Sequence, residues 1–235
     1  MDHVQVIPNI NIGILALQGA FAEHQAALQK LSCQKKLAII LVRTAEDLST
    51  CNALIIPGGE STTIALLAKL SGLLEPLRTF LQQKPVWGTC AGAILLAQAV
   101  ENTKKGGQEL LGGISVTVAR NGWGSQVESF EAPLLVDGLR DPKVSFTGVF
   151  IRAPVLLALH PSTWNPPIEI IARLPPDLMP KSQNMLACDD GLHDPQSIVA
   201  VRQGRHMLTT FHPELTKDSR FHEYFVRTCV LPTLL

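Results

Sequence analysis

The chain carries little charge and no excess of either sign. Lysine and arginine together number 20, aspartate and glutamate also number 20, and charged residues make up only 17% of the sequence. A balanced chain has no overall field that would draw it to nucleic acid or to an anionic membrane. No apolar run approaches the roughly 20 residues that a membrane-spanning helix requires. We therefore expect neither nucleic acid nor a membrane as a partner.

The sequence also lacks the patterns of a disulfide framework and of a metal site. Its cysteines are odd in number, form no C-x-x-C pair and, like the histidines, show no ligand spacing. The first residues, 1–4, have neither the basic patch nor the apolar segment of a secretory signal. These absences predict a cytoplasmic protein with reduced thiols, no metal and no cofactor. The five cysteines are Cys33, Cys51, Cys90, Cys188 and Cys229.

The patterning divides the chain into two halves within one predicted domain, residues 1–235. Hydrophobic residues make up 46% of the sequence, which is enough for a substantial core. In the first half, strand-like and helix-like segments alternate, which is typical of a parallel sheet covered by helices. The second half has short β-type segments and a final helix. The predicted strands are 12–17, 37–42, 53–56, 86–87, 114–119, 127–130, 149–151, 198–202 and 207–211, and the predicted helices are 21–31, 62–70, 94–100 and 219–229.

Three segments are expected to lie outside this core. Residues 1–11 precede the first predicted strand as an N-terminal extension. Residues 101–109 are expected to form a loop. Residues 161–184 are rich in proline and weakly patterned, so we expect a surface insertion there rather than a core element.

One segment carries the pattern of a catalytic nucleophile. Gly88-Thr89-Cys90-Ala91-Gly92 lies between a short apolar strand and a helical apolar stretch. Glycines on both sides of a cysteine are typical of a turn so tight that only glycine fits at its flanks. Such a turn lifts the thiol above the sheet and directs the N–H of Ala91 at the reacting centre. The start of the following helix favours a thiolate, so Cys90 is predicted to be the nucleophile.

A cysteine nucleophile needs a base, and the base needs a group that orients it. The segment Phe211-His212-Pro213-Glu214 offers both. If it is extended, positions i and i+2 point to the same side, so Glu214 can hold one imidazole nitrogen while the other faces Cys90. We therefore predict that His212 and Glu214 complete a triad. The other six histidines are interpreted as solvated or packed.

A glycine-rich loop follows the predicted strand 53–56. In Gly58-Gly59-Glu60-Ser61 the glycines free backbone N–H groups, and Ser61 can cap the next helix. A phosphate cradle is a poor interpretation, because no lysine follows in P-loop register. An oxyanion hole, in which the N–H of Gly59 joins that of Ala91, is the better one. A tight turn that simply requires glycine remains the alternative.

Further candidate residues lie where predicted strands end. Gln18 follows the first strand, and open α/β sheets bind ligands at the carboxyl ends of their strands. Arg120 and the pair Ile151-Arg152 end later β segments. An arginine there could hold a carboxylate through paired hydrogen bonds, although either arginine alone is more often a surface charge.

Several motifs together resemble one known family. They are Leu15-Ala16-Leu17-Gln18-Gly19-Ala20-Phe21-x-Glu23-His24, Ile55-Ile56-Pro57-Gly58-Gly59-Glu60-Ser61-Thr62-Thr63, Trp87-Gly88-Thr89-Cys90-Ala91-Gly92, Arg120-Asn121, Ser129-Phe130, Phe150-Ile151-Arg152-Ala153-Pro154 and Phe211-His212-Pro213-Glu214-Leu215. The chain resembles the glutaminase subunits of pyridoxal 5′-phosphate synthase, which are class I glutamine amidotransferases of the triad type. The resemblance spans residues 12–226. The G-x-C-x-G motif marks only the wider superfamily, whereas the Gln-Gly-Ala-Phe and Phe-Ile-Arg-Ala-Pro segments are much more specific.

The resemblance implies a three-layer, flavodoxin-like α/β fold with a mostly parallel central sheet and additional antiparallel strands. It implies hydrolysis of L-glutamine, with the ammonia passing to a synthase partner that makes pyridoxal 5′-phosphate in vitamin B6 synthesis. Several glutaminases would decorate one synthase oligomer, and docking would organise the oxyanion loop. The residues implied are Cys90, His212 and Glu214 as the triad and Gly58, Gly59, Glu60, Arg120, Ile151 and Arg152 around the substrate.

The chain departs from the family pattern in two places. Ser125 stands where relatives usually have arginine, which puts a local ion pair or part of the docking surface in doubt. The segment 161–196 is longer than the corresponding segment of the compact family form, so we interpret it as an insertion. Three alternatives therefore stay open: a related cysteine peptidase or deglycase, a paralogue that binds the synthase without catalysis, and a glutaminase that serves another synthase.

Overall fold

A seven-stranded sheet forms the centre of the protein. The structure is a computed structural model that describes residues 9–32, 36–103, 107–123, 129–179 and 194–234. The strand order is β2-β1-β3-β4-β12-β11-β10, and β11 runs antiparallel to both of its neighbours while the others are parallel to one another. The order β2-β1-β3-β4-β12 is flavodoxin-like, and such sheets bind ligands at the carboxyl ends of their strands. The strands are β1 Ile10–Leu15, β2 Leu37–Val42, β3 Ala53–Ile56, β4 Val86–Thr89, β10 Ile168–Arg173, β11 Ile198–Gln203 and β12 His206–Thr209.

Helices cover both faces of this sheet and make three layers. Along β3, Ile55 packs toward one core cluster and Ile56 toward another, because successive side chains of a strand point to opposite faces. The first cluster contains residues of α1 and α6, and the second contains residues of α3, α4 and α5. The helices are α1 Phe21–Gln29, α2 Ala45–Ser49, α3 Ser61–Leu70, α4 Leu74–Gln83, α5 Ala91–Leu96 and α6 Arg220–Phe225.

Two smaller sheets flank the main one. One contains β5 and β9 on either side of β6, and its apolar side chains pack against those of β11 and β12. The other is the antiparallel pair of β7 and β8, which brings the end of β8 to the carboxyl edge of the main sheet. The strands are β5 Ala97–Glu101, β6 Ile114–Ala119, β7 Ser129–Leu134, β8 Phe146–Ile151 and β9 Val155–Leu159.

The predicted α/β class is confirmed, and several element predictions are corrected. The stretch 94–100 is not one helix, because α5 ends at Leu96 and residues 97–101 form β5. A short apolar run cannot distinguish the two by pattern alone. Helices α2 and α4 and strand β9 had no sequence prediction. The predicted final helix is α-helical only over Arg220–Phe225 and continues as a π-helical turn over Val226–Val230.

The predicted surface insertion contains a strand of the main sheet. Residues 168–173 are β10, which pairs with β11 at the sheet edge. The prolines that flank this strand lie at 166–167 and 175–176, where they remove no ladder hydrogen bond. The predicted N-terminal extension, 1–11, is too long, because β1 already begins at Ile10, and residues 1–8 and 180–193 lie outside the described residues.

Two features are absent from the described ranges. No helix there is both long enough and apolar enough to cross a membrane. Within the same ranges, no group of three or more histidine, cysteine, aspartate or glutamate side chains is arranged to hold a metal ion.

Candidate active site

Cys90 lies in the turn between β4 and α5, at the carboxyl edge of the sheet. Its φ of +46° is unusual for a residue with a side chain, and its N–H donates to the carbonyl of Thr209 at 2.9 Å. A Cβ on Gly88 would collide with the backbone of Gly92, and a Cβ on Gly92 would collide with the carbonyl of Ile56. Both glycines are therefore required for the close approach of chain segments, as the sequence predicts for a nucleophile elbow.

His212 and Glu214 form a buried pair beside this turn. The Nδ1 of His212 lies 2.7 Å from Oε1 of Glu214, and the His212 N–H donates to the carbonyl of Val149 at 2.8 Å. The expected pairing is present, but the expected extended segment is wrong. Strand β12 ends at Thr209, and residues 213–215 form a 3₁₀ turn that begins at Pro213. The tight turn, rather than strand alternation, brings the two side chains together.

The surroundings of His212 favour its protonated form. Burial alone would lower its pKa, but hydrogen bonds with Cys90 and Glu214 and the charges of both groups raise the pKa to about 10. The imidazole therefore contacts the thiol on one side and the carboxylate on the other. This arrangement can hold a thiolate–imidazolium pair and can move a proton between sulfur, nitrogen and a bound substrate.

The glycine-rich loop lies against this pair. A Cβ on Gly58 would collide with the imidazole of His212, so glycine gives the ring its room. The Gly58 carbonyl accepts from the N–H of Ala20 at 3.0 Å. Oε1 of Gln18 accepts from the N–H of Glu60 at 2.9 Å. A Cβ on Gly59 would collide with the side-chain amide of Gln18. The segment after β1 thus holds the loop after β3.

Glu60 and Arg120, both predicted to contact substrate, are paired with each other. The Nη2 of Arg120 lies 2.7 Å from Oε1 of Glu60, and its Nη1 donates to Oε1 of Gln108 at 3.1 Å. Oε2 of Glu60 also accepts from the N–H of Thr63, so Glu60 caps α3, and the cap expected at Ser61 is wrong because Ser61 is the first residue of the helix. Burial alone would raise the pKa of Glu60, but hydrogen bonds from Thr62, Thr63 and Arg120 lower it to about 2. Glu60 is therefore a carboxylate near neutral pH.

Ile151 and Arg152 complete the set of predicted residues. The carbonyl of Ile151 lies 3.8 Å from Sγ of Cys90, and the side chain of Ile151 is exposed. Arg152 follows with a φ of +44°. Backbone strain of this kind persists only where the surrounding structure requires it, and it is common at functional sites. Ser125, the residue that departs from the family pattern, lies outside the described residues.

Sequence reasoning missed a second group of polar side chains behind Glu214. His24 of α1 and His222 of α6 are completely buried, and their Nδ1 and Nε2 atoms lie 2.9 Å apart. Nε2 of His24 lies 3.2 Å from Oγ1 of Thr89 and 3.4 Å from Oε2 of Glu214. One signal in the sequence was the spacing of His24 with Ala27 and Leu28, which places the histidine on the buried face of its helix, and another was its place in the first family motif.

The elbow and the histidine–carboxylate pair are the architecture of a cysteine-nucleophile enzyme on an α/β sheet. Comparison with known proteins then gives its family. The chain belongs to the SNO glutamine amidotransferase family, whose model matches residues 14–231.

Named relatives and a solved structure agree with this family. The chain is 46% identical over 226 residues to the "Probable pyridoxal 5'-phosphate synthase subunit PDX2" of Arabidopsis thaliana, covering 93% of this chain and 85% of that protein. It is 43% identical over 218 residues to the pyridoxal 5′-phosphate synthase subunit PdxT of Chloroflexus aggregans, covering 92% and 99%. A crystal structure of a glutamine amidotransferase superposes with a TM-score of 0.71 at 41% identity, covering 92% of this chain and 97% of the other.

Proposed function

We propose that the protein hydrolyses L-glutamine to L-glutamate and ammonia, and that it supplies the ammonia to a pyridoxal 5′-phosphate synthase subunit. The observation that carries this proposal is the convergence of Cys90, His212 and Glu214 at the carboxyl edge of the sheet. Membership of a glutamine amidotransferase family gives the substrate class. The names of its relatives give the partner.

The chemistry divides between the three residues of the proposed triad. The Cys90 thiolate attacks the side-chain amide carbon of glutamine, and a carbon–sulfur bond forms. His212 gives its proton to the amide nitrogen, the carbon–nitrogen bond breaks, and ammonia leaves a γ-glutamyl thioester. Water then gives a proton to His212 and its oxygen to the thioester carbon, which releases glutamate and the thiolate. Glu214 orients the imidazole and stabilises its charge.

Backbone donors stabilise the negative oxygen that forms in each step. Ala91 is the first residue of α5, where an N–H has no acceptor within its own helix. Gly59 offers a second N–H on the loop beside His212. One well-placed donor is worth about 3 kcal/mol, so reorienting one peptide could change the rate by roughly a hundredfold. A docking partner could therefore gate the enzyme by organising this loop.

The charges around the site fit a zwitterionic amino acid. Glu60 is an ionised carboxylate that could meet an ammonium group, and Arg120 beside it could meet a carboxylate. Arg152 provides a second guanidinium at the end of β8. The carbonyl of Ile151, which lies 3.8 Å from Sγ of Cys90, could accept an N–H of the scissile amide. These residues favour free glutamine over an apolar or peptide substrate.

The synthase partner would dock beside the site. Ile151 and Leu215 expose apolar side chains next to Cys90 and Glu214, and a docked protein could bury them. Several copies of this chain on one synthase oligomer, and a cytoplasmic location, belong to the same proposal. Light scattering of the mixed proteins tests the stoichiometry.

The first experiment measures ammonia and glutamate release from L-glutamine, with and without the cognate synthase. Wild type should release both products, more strongly with synthase, and Cys90→Ala should release neither. Turnover of peptides but not of glutamine would replace the proposal with a related cysteine hydrolase. Complex formation without any glutaminase activity would identify a binding paralogue.

A further inference from the structure

A buried chain of polar groups continues past Glu214 into the core. Each oxygen of a carboxylate needs hydrogen-bond donors when it is removed from water. Oε1 of Glu214 pairs with His212, but Oε2 is buried and has no hydrogen-bond partner within the described residues. The Nε2 atom of His24 lies 3.4 Å from Oε2 and is the group placed to serve it.

His24 is neutral in this environment, so its tautomer decides what it can do. Complete burial lowers its pKa well below the usual value, and the nearby His222 and His212 lower it further. Burial likewise lowers the pKa of His222, to about 3. Each ring therefore carries one N–H, and the two rings share one hydrogen bond between Nδ1 of His24 and Nε2 of His222.

Two tautomer patterns are compatible with that hydrogen bond. In one, Nδ1–H of His24 donates to His222. This pattern turns the lone pair of His24 Nε2 toward the Glu214 carboxylate and leaves an N–H on Nδ1 of His222. That Nδ1 atom is buried and has no partner within the described residues, and an unpaired buried N–H is costly.

In the other pattern, His222 Nε2–H donates to Nδ1 of His24. His24 then carries its proton on Nε2, where it can be shared between Oγ1 of Thr89 at 3.2 Å and Oε2 of Glu214. Only a lone pair is left on Nδ1 of His222, which avoids the orphaned donor. The second pattern satisfies more groups, and contacts of this kind often tighten when a substrate complex forms.

We propose that His24 is a positioning residue that donates from Nε2 to the second oxygen of Glu214, with His222 fixing its tautomer. Glu214 is then held at both oxygens, so it presents Oε1 to His212 in one orientation. Trp87 packs edge-on against both rings, with centroids 5.6 Å from His24 and 5.0 Å from His222, and keeps the rings in place. For its kinetic test, this inference rests on the proposed glutaminase function.

The direct test is made on the wild-type protein, needs no activity measurement and uses variants only to assign signals. Histidine-¹⁵N-labelled wild type at pH 7 is examined by two-bond ¹H–¹⁵N correlation, with signals assigned from the spectra of His24→Gln and His222→Gln. Both residues should be neutral with the proton on Nε2. A proton on Nδ1 of His24, or a doubly protonated ring, would overturn the proposal even if the protein is a fully active glutaminase.

A matched pair of substitutions gives the kinetic test. Glutamine places an N–H₂ near the position of His Nε2, whereas asparagine reaches only the position of Nδ1. His24→Asn should lower kcat by about 10- to 100-fold with KM within about twofold, because it misaligns the proton carrier and not the substrate. His24→Gln should recover kcat to within about fivefold of wild type.

Controls separate this role from simple packing. His206→Gln alters another histidine at the opposite end of β12 and should leave kcat unchanged. His222→Gln keeps a donor toward His24 and His222→Leu does not, so only the latter should resemble His24→Asn. Equal kcat for His24→Asn and wild type, or equal losses for His24→Asn and His24→Gln at equal thermal stability, would overturn the positioning role. An inactive wild type would contradict the proposed function alone, because the tautomer measurement stands without it.

Discussion

The two ends of the main sheet differ in what they place next to open space. At the amino edge, beside the turn between β11 and β12, lies a cavity of about 720 Å³ whose lining includes Arg78, Arg205 and His206. At the carboxyl edge, Cys90, His212 and Glu214 are buried and in contact. This cavity therefore lies away from the site where the three side chains converge.

Strain and buried charge distinguish the two edges better than volume does. Among the described residues that combine a positive φ with a side chain, all but two are asparagine or aspartate, and the two exceptions are Cys90 and Arg152 at the carboxyl edge. At the amino edge His206 is neutral, because burial and Arg205 lower its pKa to about 4. Unfavourable backbone and coupled titratable groups mark a functional edge, since neither would persist without a requirement.

The largest effect that tests this comparison is loss of the proposed nucleophile, Cys90. Cys90→Ala should lower kcat/KM for glutamine by at least about 10⁴-fold, because no thioester can form. The matched control is Cys51→Ala, since Cys51 is also buried and burial raises the pKa of its thiol to about 11. A buried thiol of that kind is unreactive, so the control should stay within about threefold of wild type. Equal losses in both variants would remove the distinction between the edges.

The next effect concerns the carboxylate that orients the imidazole. Glu214→Gln keeps the shape of the side chain but removes its charge, and it should lower kcat by about 10²- to 10⁴-fold. The hydrogen bond and charge of Glu214 help to raise the pKa of His212, so the same change should move that pKa downward. Steady-state kinetics and histidine titration by NMR check the two results. A wild-type kcat with an unshifted His212 would contradict the proposed triad.

The sequence predicted the parts of this site that depend on local constraints. The elbow could be predicted because Gly88 and Gly92 flank Cys90 within five residues, and each is required by a close backbone approach. The His212–Glu214 pair was predicted for the wrong geometric reason, since a 3₁₀ turn replaces the expected strand. The contact between His24 and His222 joins residues 198 positions apart and could not be predicted from spacing.

The same distinction between local and long-range constraints explains which strands and helices were predicted wrongly. Strand β10 was missed because prolines on either side of it dominate the composition of the region, although none of them lies within the strand itself. Helix α4 was also missed. Its Pro76 is compatible with a helix, because it lies in the first turn, where a missing N–H costs no helical hydrogen bond. The class of fold followed from alternation over many segments, whereas individual edges and ends depend on tertiary contacts.

A smaller effect on kcat is expected from filling the space that Gly58 leaves for the His212 imidazole. Gly58→Ala should lower kcat by about 10- to 100-fold, because the new methyl group collides with the His212 imidazole and displaces it, and a misplacement of about 1 Å can cost roughly a hundredfold in rate. Gly72→Ala is the matched control, since Gly72 has a φ of +72° with open space around it. It should cost about 1 kcal/mol of stability and leave kcat unchanged. Thermal unfolding and kinetics of both variants separate the two results, and equal kcat values would contradict the steric role of Gly58.

The smallest effect is the pH-dependent stability that Glu60 contributes at the carboxyl edge. Its pKa in the folded protein, about 2, lies below the usual 4.5, so its stabilisation is present above about pH 4.5 and is lost as the pH falls through about 2. Because 38% of its side chain is exposed, solvent screening reduces the effect, and Glu60→Gln should cost about 1 kcal/mol or less at pH 7. The cost should shrink toward pH 2 in urea unfolding experiments.

Glu75→Gln, which removes an exposed pair with Arg78, should cost less than about 0.5 kcal/mol at pH 7. A cost for Glu60→Gln that is the same at pH 2.5 and pH 7 would mean that the charge of Glu60 does not stabilise the loop, and that the ion pair between Glu60 and Arg120 does not form in solution.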